Sequence, residues 1–211
     1  MPENYQLWLD RELSRLSAAG IRPRLLLHSC CAPCSSYVLE YLSRHFAITV
    51  FYYDPNISPA EEFYRRSAEQ QRLIREMPLS SPVEFIEGRY EPERFFAVAA
   101  GHEADPEGGA RCLACYRLRL TETAALAAER GFAYFTTTLS ISPLKNAAAL
   151  NAIGRELATE YGVPYLFSDF KKRDGYKRSC ALSREYDLYR QNYCGCVFSA
   201  RAAQEKEDTE G

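Results

Sequence analysis

The sequence predicts an α/β fold, a mainly parallel five-stranded sheet flanked by helices. Two observations carry that expectation. Short apolar runs rich in β-branched and aromatic residues alternate with segments of helical periodicity, the order a parallel sheet requires because each crossover consumes a helix of chain. The 211 residues, 46% hydrophobic and 26% charged, also have the composition of a globular protein large enough to bury a core. No internal repeat or long linker interrupts the pattern. Residues 1–203 are therefore expected to form one domain, followed by a disordered charged tail over 204–211.

The elements follow in order. Residues 5–18 space Leu7, Leu9, Leu13 and Leu16 as one helical face, with Asp10, Arg11, Glu12 and Arg15 between them. Residues 24–29 (RLLLHS) are a short apolar run ending in polar residues, the first strand, and residues 35–44 are helical. The second strand is ITVFYY, 48–53, closed by the turn residues Asp54, Pro55 and Asn56. A highly charged helix covers 59–76, with Pro78 and Pro82 at its exit, then a short strand over 83–86 and a short helix near 91–100. The Gly- and acid-rich stretch 101–110 is a loop. A helix over 112–130 ends at Gly131, a fourth strand runs over 132–139, and a helix over 144–161 is capped by Gly162. VPYLF, 163–167, reads as the fifth strand, 170–178 as a basic loop and 180–191 as the last helix. Sites in such sheets form at the carboxyl ends of the strands.

The unusual entry in the composition is cysteine, 8 residues against 2 Met and 1 Trp. The N-terminal segment is charged and amphipathic, neither signal peptide nor membrane span, so the expected compartment is the reducing cytoplasm. There, clustered thiols mean metal or redox chemistry more often than structural disulfides. Cys30, Cys31 and Cys34 lie where the first strand gives way to a helix, beside unpaired N–H groups and the positive end of the helix dipole. The competing reading, small buried hydrophobes, poorly explains three thiols in five residues. Cys112 and Cys115 form a C-x2-C at a helix start, and thiolate sets of this kind select zinc, Cu(I) or iron–sulfur centres. Cys194 and Cys196 flank Gly195 and are either a reversible dithiol or two further ligands; the surplus of sulfurs over the four a structural site needs favours redox work. Cys180 stands alone and reads as structural, and His45 and His102 as surface residues. His28, next to the thiols, is either a proton donor or a satisfied strand-end histidine.

The net charge of −2 excludes a globally basic nucleic-acid binder but leaves room for a local patch. Lys171, Lys172, Arg173, Lys177 and Arg178 are dense around Tyr176, and Tyr189 and Arg190 follow shortly before the Cys194 pair. Cations hold phosphates and aromatic faces stack on unpaired bases, so these residues are candidate RNA contacts against the alternative of a solvated loop and a core-facing aromatic stripe. The hydroxyl-rich run TTTLSISPLKN, 136–146, is either an anion site or a set of helix caps. Neither GxxxxGK[ST] nor GxGxxG occurs, so a standard nucleotide site is not supported.

Five blocks, HSCCAPCSS (28–36), YYDPNISPAEEFYRR (52–66), EGGARCLACYRLRL (107–120), TTTLSISPLKN (136–146) and LYRQNYCGC (188–196), together resemble the cobalamin-independent epoxyqueuosine reductase family, QueH. The resemblance spans about residues 24–197. It implies reduction of epoxyqueuosine to queuosine at the wobble position of tRNA, a two-electron removal of the epoxide oxygen. It further implies a 4Fe-4S cluster on Cys30, Cys31, Cys112 and Cys115, an adjacent mononuclear iron with Cys34 as its candidate ligand, no cobalamin, and a redox-active pair formed by Cys194 and Cys196. The implied partners are tRNA and an electron donor of unspecified identity. The implied fold is the nucleotide-hydrolase-like (HUP, PP-loop-like) sandwich. Two rivals remain. A PP-loop ATP-dependent tRNA thiolase would need a Ser- and Gly-rich phosphate loop where this chain has SCCAPCSS. A zinc-stabilised RNA-binding module would leave the surplus thiols unexplained.

Overall fold

The computed structural model describes residues 3–210. Four parallel strands, β1 (Arg24–Ser29), β2 (Ala47–Tyr52), β3 (Glu84–Glu87) and β4 (Tyr134–Thr137), lie in the order β3-β2-β1-β4. The register sets His28 between Phe51 of β2 and Thr137 of β4. The central strands β1 and β2 are buried from their second residue onward, so both read as continuous apolar runs rather than as alternating ones.

Alternation survives in which layer each residue feeds. Leu25 and Leu27 of β1 and Ile48 and Val50 of β2 pack on one face with α1 (Tyr5–Ala18), α2 (Ala32–Leu42) and Leu182 of α7 (Gly175–Glu185). Leu26 and Phe51 turn to the other face, with Phe135 of β4, against α5 (Ala110–Glu129) and α6 (Ala147–Tyr161). The helix α3 (Ala60–Glu76) joins β2 to β3, and the short α4 (Pro92–Ala99) precedes α5.

Several expectations shift. The sheet has four strands, not five: residues 163–167 make a single parallel bridge, Phe135 with Tyr165. Phe135 N donates to Pro164 O at 3.1 Å and Leu166 N to Phe135 O at 2.9 Å, but Pro164 has no N–H to extend a ladder. The predicted fourth strand ends at Thr137, where Thr138–Ile141 turn into a short 3-10 segment. The predicted helix over 180–191 instead starts at Gly175 and stops at Glu185; Asp187 takes a positive φ of 45° and Leu188 N donates back to Ser183 O at 2.8 Å. The charged tail is helical: residues 204–210 are the outer part of α8 (Val197–Glu210), while Gly211, with Met1 and Pro2, lies outside the described residues. No described helix is long and apolar enough to cross a membrane.

Candidate functional site

The strand order places a switch point between β1 and β4, because β1, β2 and β3 wind one way and β4 returns on the other side. The first thiol cluster occupies that point. Cys31 is the extended residue ahead of α2, Pro33 pre-sets the first helical turn, and Cys34 lies within that turn. The Sγ atoms of Cys30, Cys31 and Cys34 all lie within 4.8 Å of one another, with Cys30 and Cys31 at 3.8 Å. Hydrogen bonds from Cys30 and Cys34, helped by the Arg66 charge, hold Cys31 well below the ordinary thiol range. The hydrogen bond to Cys31 pushes Cys30 up to about 11, and hydrogen bonds to Cys30 and then Cys31 raise Cys34 well above the ordinary thiol value.

The loop before α5 is folded by Arg111, whose Nη1 donates to the carbonyls of His102 (2.9 Å) and Glu103 (2.8 Å). This fixes the start of α5 and aims Cys112 and Cys115 from one helical face. Cys112 Sγ accepts from Gly108 N at 3.3 Å, and burial pushes Cys115 up to about 12. Both line a narrow cleft together with Cys194 and Cys196. The Cys-Gly-Cys segment is held from two directions: Arg66 Nη1 donates to Cys194 O at 3.1 Å, and Ser58 N donates to Gly195 O at 3.0 Å. Gly195 has φ +119°, and a Cβ there would sit 2.9 Å from Arg66 Nη1 and 3.0 Å from Ile57 Cγ1, so only glycine fits. All eight cysteines are free thiols. A cavity of about 360 Å³ opens over the first cluster, lined by Cys30, Cys31, Cys34, Cys194, Arg66 and Arg119 among others. Cys194 and Arg119 line both spaces and join them. Thus the structure gathers Cys30, Cys31 and Cys34 tightly and places Cys112, Cys115, Cys194 and Cys196 around the adjoining cleft.

Four cations are buried among these thiols: Arg119 is 1% exposed, Arg66 2%, Arg111 4% and Lys145 7%. Arg119 pairs with Asp54 through Nη2 and donates from Nε to His28 Nε2 at 3.2 Å. His28 Nε2 also lies 3.2 Å from the Tyr53 carbonyl, and Nδ1 meets Thr137 Oγ1 at 2.8 Å. Burial, then the Arg119 charge, holds His28 well below its ordinary value, so the ring is neutral. His28 is behind Arg119 and is not among the residues lining the cavity. Burial also pushes the Asp54 carboxyl up to about 7 against the pull of Arg119.

The basic stretch divides. Lys171 is committed to the carbonyls of Ser140 and Lys145 and to Asp169; Arg173 pairs with Asp10, and Arg178 forks onto Glu40. Tyr189 donates to Glu62, with the Arg65 guanidinium 3.5 Å from its ring centre. Lys172 and Lys177 are exposed. Arg190, also exposed, lines the cavity with Tyr176 and Tyr193.

Sequence reasoning passed over Arg119, Arg66 and Asp54. The signal for Arg119 was spacing: Cys112, Cys115 and Arg119 fall three and four residues apart and share a face of α5. Arg66 offered only a charged residue at a core position of α3.

The family model described as "Epoxyqueuosine reductase QueH" matches residues 25–202. Relatives bearing that description include one from Staphylococcus epidermidis, 42% identical over 201 residues, covering 93% of this chain and 84% of its own length. One from Streptococcus pyogenes is 42% identical over 207 residues, covering 95% and 81%. A more distant one, from Thermotoga maritima, is 35% identical over 188 residues, covering 86% and 93%.

Proposed function

The chain belongs to the epoxyqueuosine reductase QueH family, and on that footing we propose that its thiol-lined cavity is where epoxyqueuosine, carried at the wobble position of a tRNA, is reduced to queuosine. The chain is an oxidoreductase, and the reaction is the last step of queuosine formation. The observation that carries the reading is the meeting of the thiol segments at the β1/β4 switch point, walled by buried cations. The reaction consumes two electrons and two protons: the epoxide oxygen leaves as water and a carbon–carbon double bond forms. We assign the sheet to the nucleotide-hydrolase-like sandwich, the chain to a single domain apart from its tail, and its place of action to the cytoplasm.

The donor set suits iron and sulfide. Thiolates select soft metals and iron–sulfur centres, and the Arg66, Arg119 and Lys145 charges offset the negative charge that a thiolate-bound cluster brings into a buried site. In this reading Cys30, Cys31, Cys112 and Cys115 hold a 4Fe-4S cluster and Cys34 an additional iron, without cobalamin. When bound, the metal supplies single electrons and Lewis acidity toward the epoxide oxygen.

The chain's own residues supply the rest. Cys194 and Cys196 store two electrons as a dithiol. Burial raises the Cys194 thiol despite Lys145 and Arg119, which supports the pair as a source of protons as well as electrons. Arg66 lines the cavity, and its Nη2 has no hydrogen-bond partner among the described residues, leaving a donor for the released oxygen. His28, neutral and enclosed, orients Arg119 and does not donate the proton. Tyr176, Tyr193 and Arg190 offer faces for the flat base, and Lys172 and Lys177 offer charge to the RNA backbone.

The test is anaerobic purification, measurement of iron and sulfide, and nucleoside mass spectrometry after incubation with epoxyqueuosine-containing tRNA and a chemical reductant. Queuosine formation with iron and sulfide present supports the reading; zinc without sulfide, or loaded protein that leaves epoxyqueuosine unchanged, overturns it. Single-turnover rates of Cys194→Ser and Cys196→Ser test the pair.

A further inference from the structure

Lys145 ties together two of the thiol-bearing segments. Its Nζ lies 3.2 Å from Cys194 Sγ and 2.7 Å from Glu107 Oε1, in the loop that leads into the C-x2-C helix. The lysine is held from its backbone: its N–H donates to Ser142 O at 3.1 Å, and Lys171 Nζ donates to its carbonyl at 3.3 Å and to Ser140 O at 2.9 Å. At 7% exposed, the ammonium has little freedom to leave the sulfur.

The two cysteines around Gly195 are not equivalent. Cys194 lines both the cavity and the cleft and carries the lysine. Cys196 does not line the larger cavity, is 7% exposed, and has its Sγ 3.4 Å from both the backbone N and the Oγ of Ser199 in the first turn of α8. One sulfur faces the ligand space beside a fixed cation. The other is enclosed beside an N–H donor.

We propose that Lys145, held by Glu107, is the positioning residue that makes Cys194 the sulfur through which the dithiol is recharged, with Cys196 as its resolving partner. The proposal rests on the reading of Cys194 and Cys196 as a redox pair. After turnover the pair is a disulfide, and the co-reactant is a dithiol reductant. One reductant thiolate attacks Cys194 Sγ. A sulfur–sulfur bond forms there while the Cys194–Cys196 bond breaks, and its electron pair leaves on Cys196, which receives the Ser199 N–H. The second reductant thiolate then attacks the reductant's own sulfur in the mixed disulfide. Cys194 departs with the electron pair as a thiolate beside the Lys145 ammonium. The reductant leaves as a disulfide, and the two protons lost from its thiols return through water to the two cysteines. The reductant is oxidised by two electrons and the pair is reduced by two.

The experiment uses the full-length, metal-loaded protein under anaerobic conditions. The alkylation rate of each cysteine by iodoacetamide at neutral pH is followed by peptide mass spectrometry, and the midpoint of the pair is measured in dithiothreitol redox buffers. An opposite charge this close is worth about one pKa unit or more, so Lys145→Met should slow alkylation of Cys194 about tenfold and leave Cys196 unchanged. Lys145→Arg should restore the rate to within about threefold of the parent, a change of half a logarithmic unit in thiolate fraction. Glu107→Gln frees the ammonium for the sulfur and should speed Cys194 while leaving Cys196 unchanged, a selectivity that general loosening of the segment would not produce. Equal Cys194 rates in parent and Lys145→Met, faster alkylation of Cys196 than Cys194 in the parent, or no acceleration in Glu107→Gln overturns the proposal. If Lys145→Met fails to fold, Lys145→Arg and Glu107→Gln decide alone. A parent protein that forms no Cys194–Cys196 disulfide on oxidation removes the redox-pair reading itself; a disulfide that forms with a midpoint and Cys194 rate indifferent to Lys145 removes only the role of the lysine.

Discussion

Arg119 Nε donates to His28 Nε2 at 3.2 Å, so a helix that carries two site thiols is locked to the strand that leads into three. The same guanidinium pairs with Asp54 just beyond β2. One residue thereby fixes the relative position of the segments that build the cavity.

Removal of that guanidinium should be severe. Arg119→Met leaves Asp54 buried without its counter-charge, and breaking a fully buried pair in this way costs about 3–5 kcal/mol. The double variant Arg119→Met, Asp54→Leu removes both charges and should recover more than half of the loss. Urea unfolding of the parent and both variants measures this. Equal destabilisation by the single and double changes would show that the pair is not what holds the segments.

Gly195→Ala is expected to disturb the redox segment specifically. The new Cβ meets Arg66 Nη1 and Ile57 Cγ1 at or below 3.0 Å, at a φ that L residues rarely adopt. The cost should be about 1–3 kcal/mol, with single-turnover reduction slowed at least about tenfold as Cys194 shifts away from Lys145. The control is Gly101→Ala, also at positive φ but with nothing within 4 Å of the added atom. It should cost about 1 kcal/mol and leave turnover unchanged.

Glu69 links pH to the segment that leads into the pair. Its carboxylate forks onto Arg72 and accepts from Tyr189 N at 2.8 Å. The Arg72 hydrogen bonds hold it below its ordinary value. On unfolding the group regains the ordinary value near 4.5 and takes up a proton first, so its stabilisation is complete above that pH and is lost as pH falls through the folded value. Glu69→Gln should therefore be less stable than the parent by about 1 kcal/mol at neutral pH, with the difference shrinking below about pH 4.5. Melting curves across that range give the answer; a gap that widens on acidification contradicts the assignment.

RNA contacts should follow which exposed cations are not already paired with a carboxylate, and not the count of positive residues. Lys172 and Lys177 are exposed, whereas Arg178 is forked onto Glu40. Lys172→Ala and Lys177→Ala should each weaken tRNA binding and reduce its logarithmic salt slope by roughly one. Arg178→Ala should instead act mainly on stability. Binding isotherms at several salt concentrations separate the two, and an unchanged slope in both lysine variants would move the interface elsewhere.

The alternation of apolar runs with helical periodicity sufficed to place four strands and most helices, because burial on both faces of β1 and β2 demands uninterrupted apolar sequence. The fifth strand was misread because the apolar run of VPYLF was weighed above its Pro164, which lacks the N–H a ladder needs. The last predicted helix ran past its true end because the reversal at Asp187 depends on a positive φ that its sequence does not announce. Tail composition likewise concealed α8, whose first turn rests against the site: Phe198 packs with Phe95 and lies under the Arg111 guanidinium.

The cysteine count and spacing by themselves determined that this is a thiol centre with one group at a strand-to-helix turn and another on a helix, and the blocks around them determined the family. Those are local properties: a C-x2-C on a helix and a Cys-Cys after a strand orient their sulfurs through backbone geometry alone. Only the tertiary structure decided which sulfurs meet, that Lys145 belongs to Cys194, that His28 is enclosed and neutral, and which cations stay exposed for a partner. These depend on the packing of segments dozens of residues apart. Desolvation and charge pairing, which set the chemistry of a buried group, exist only once that packing has formed.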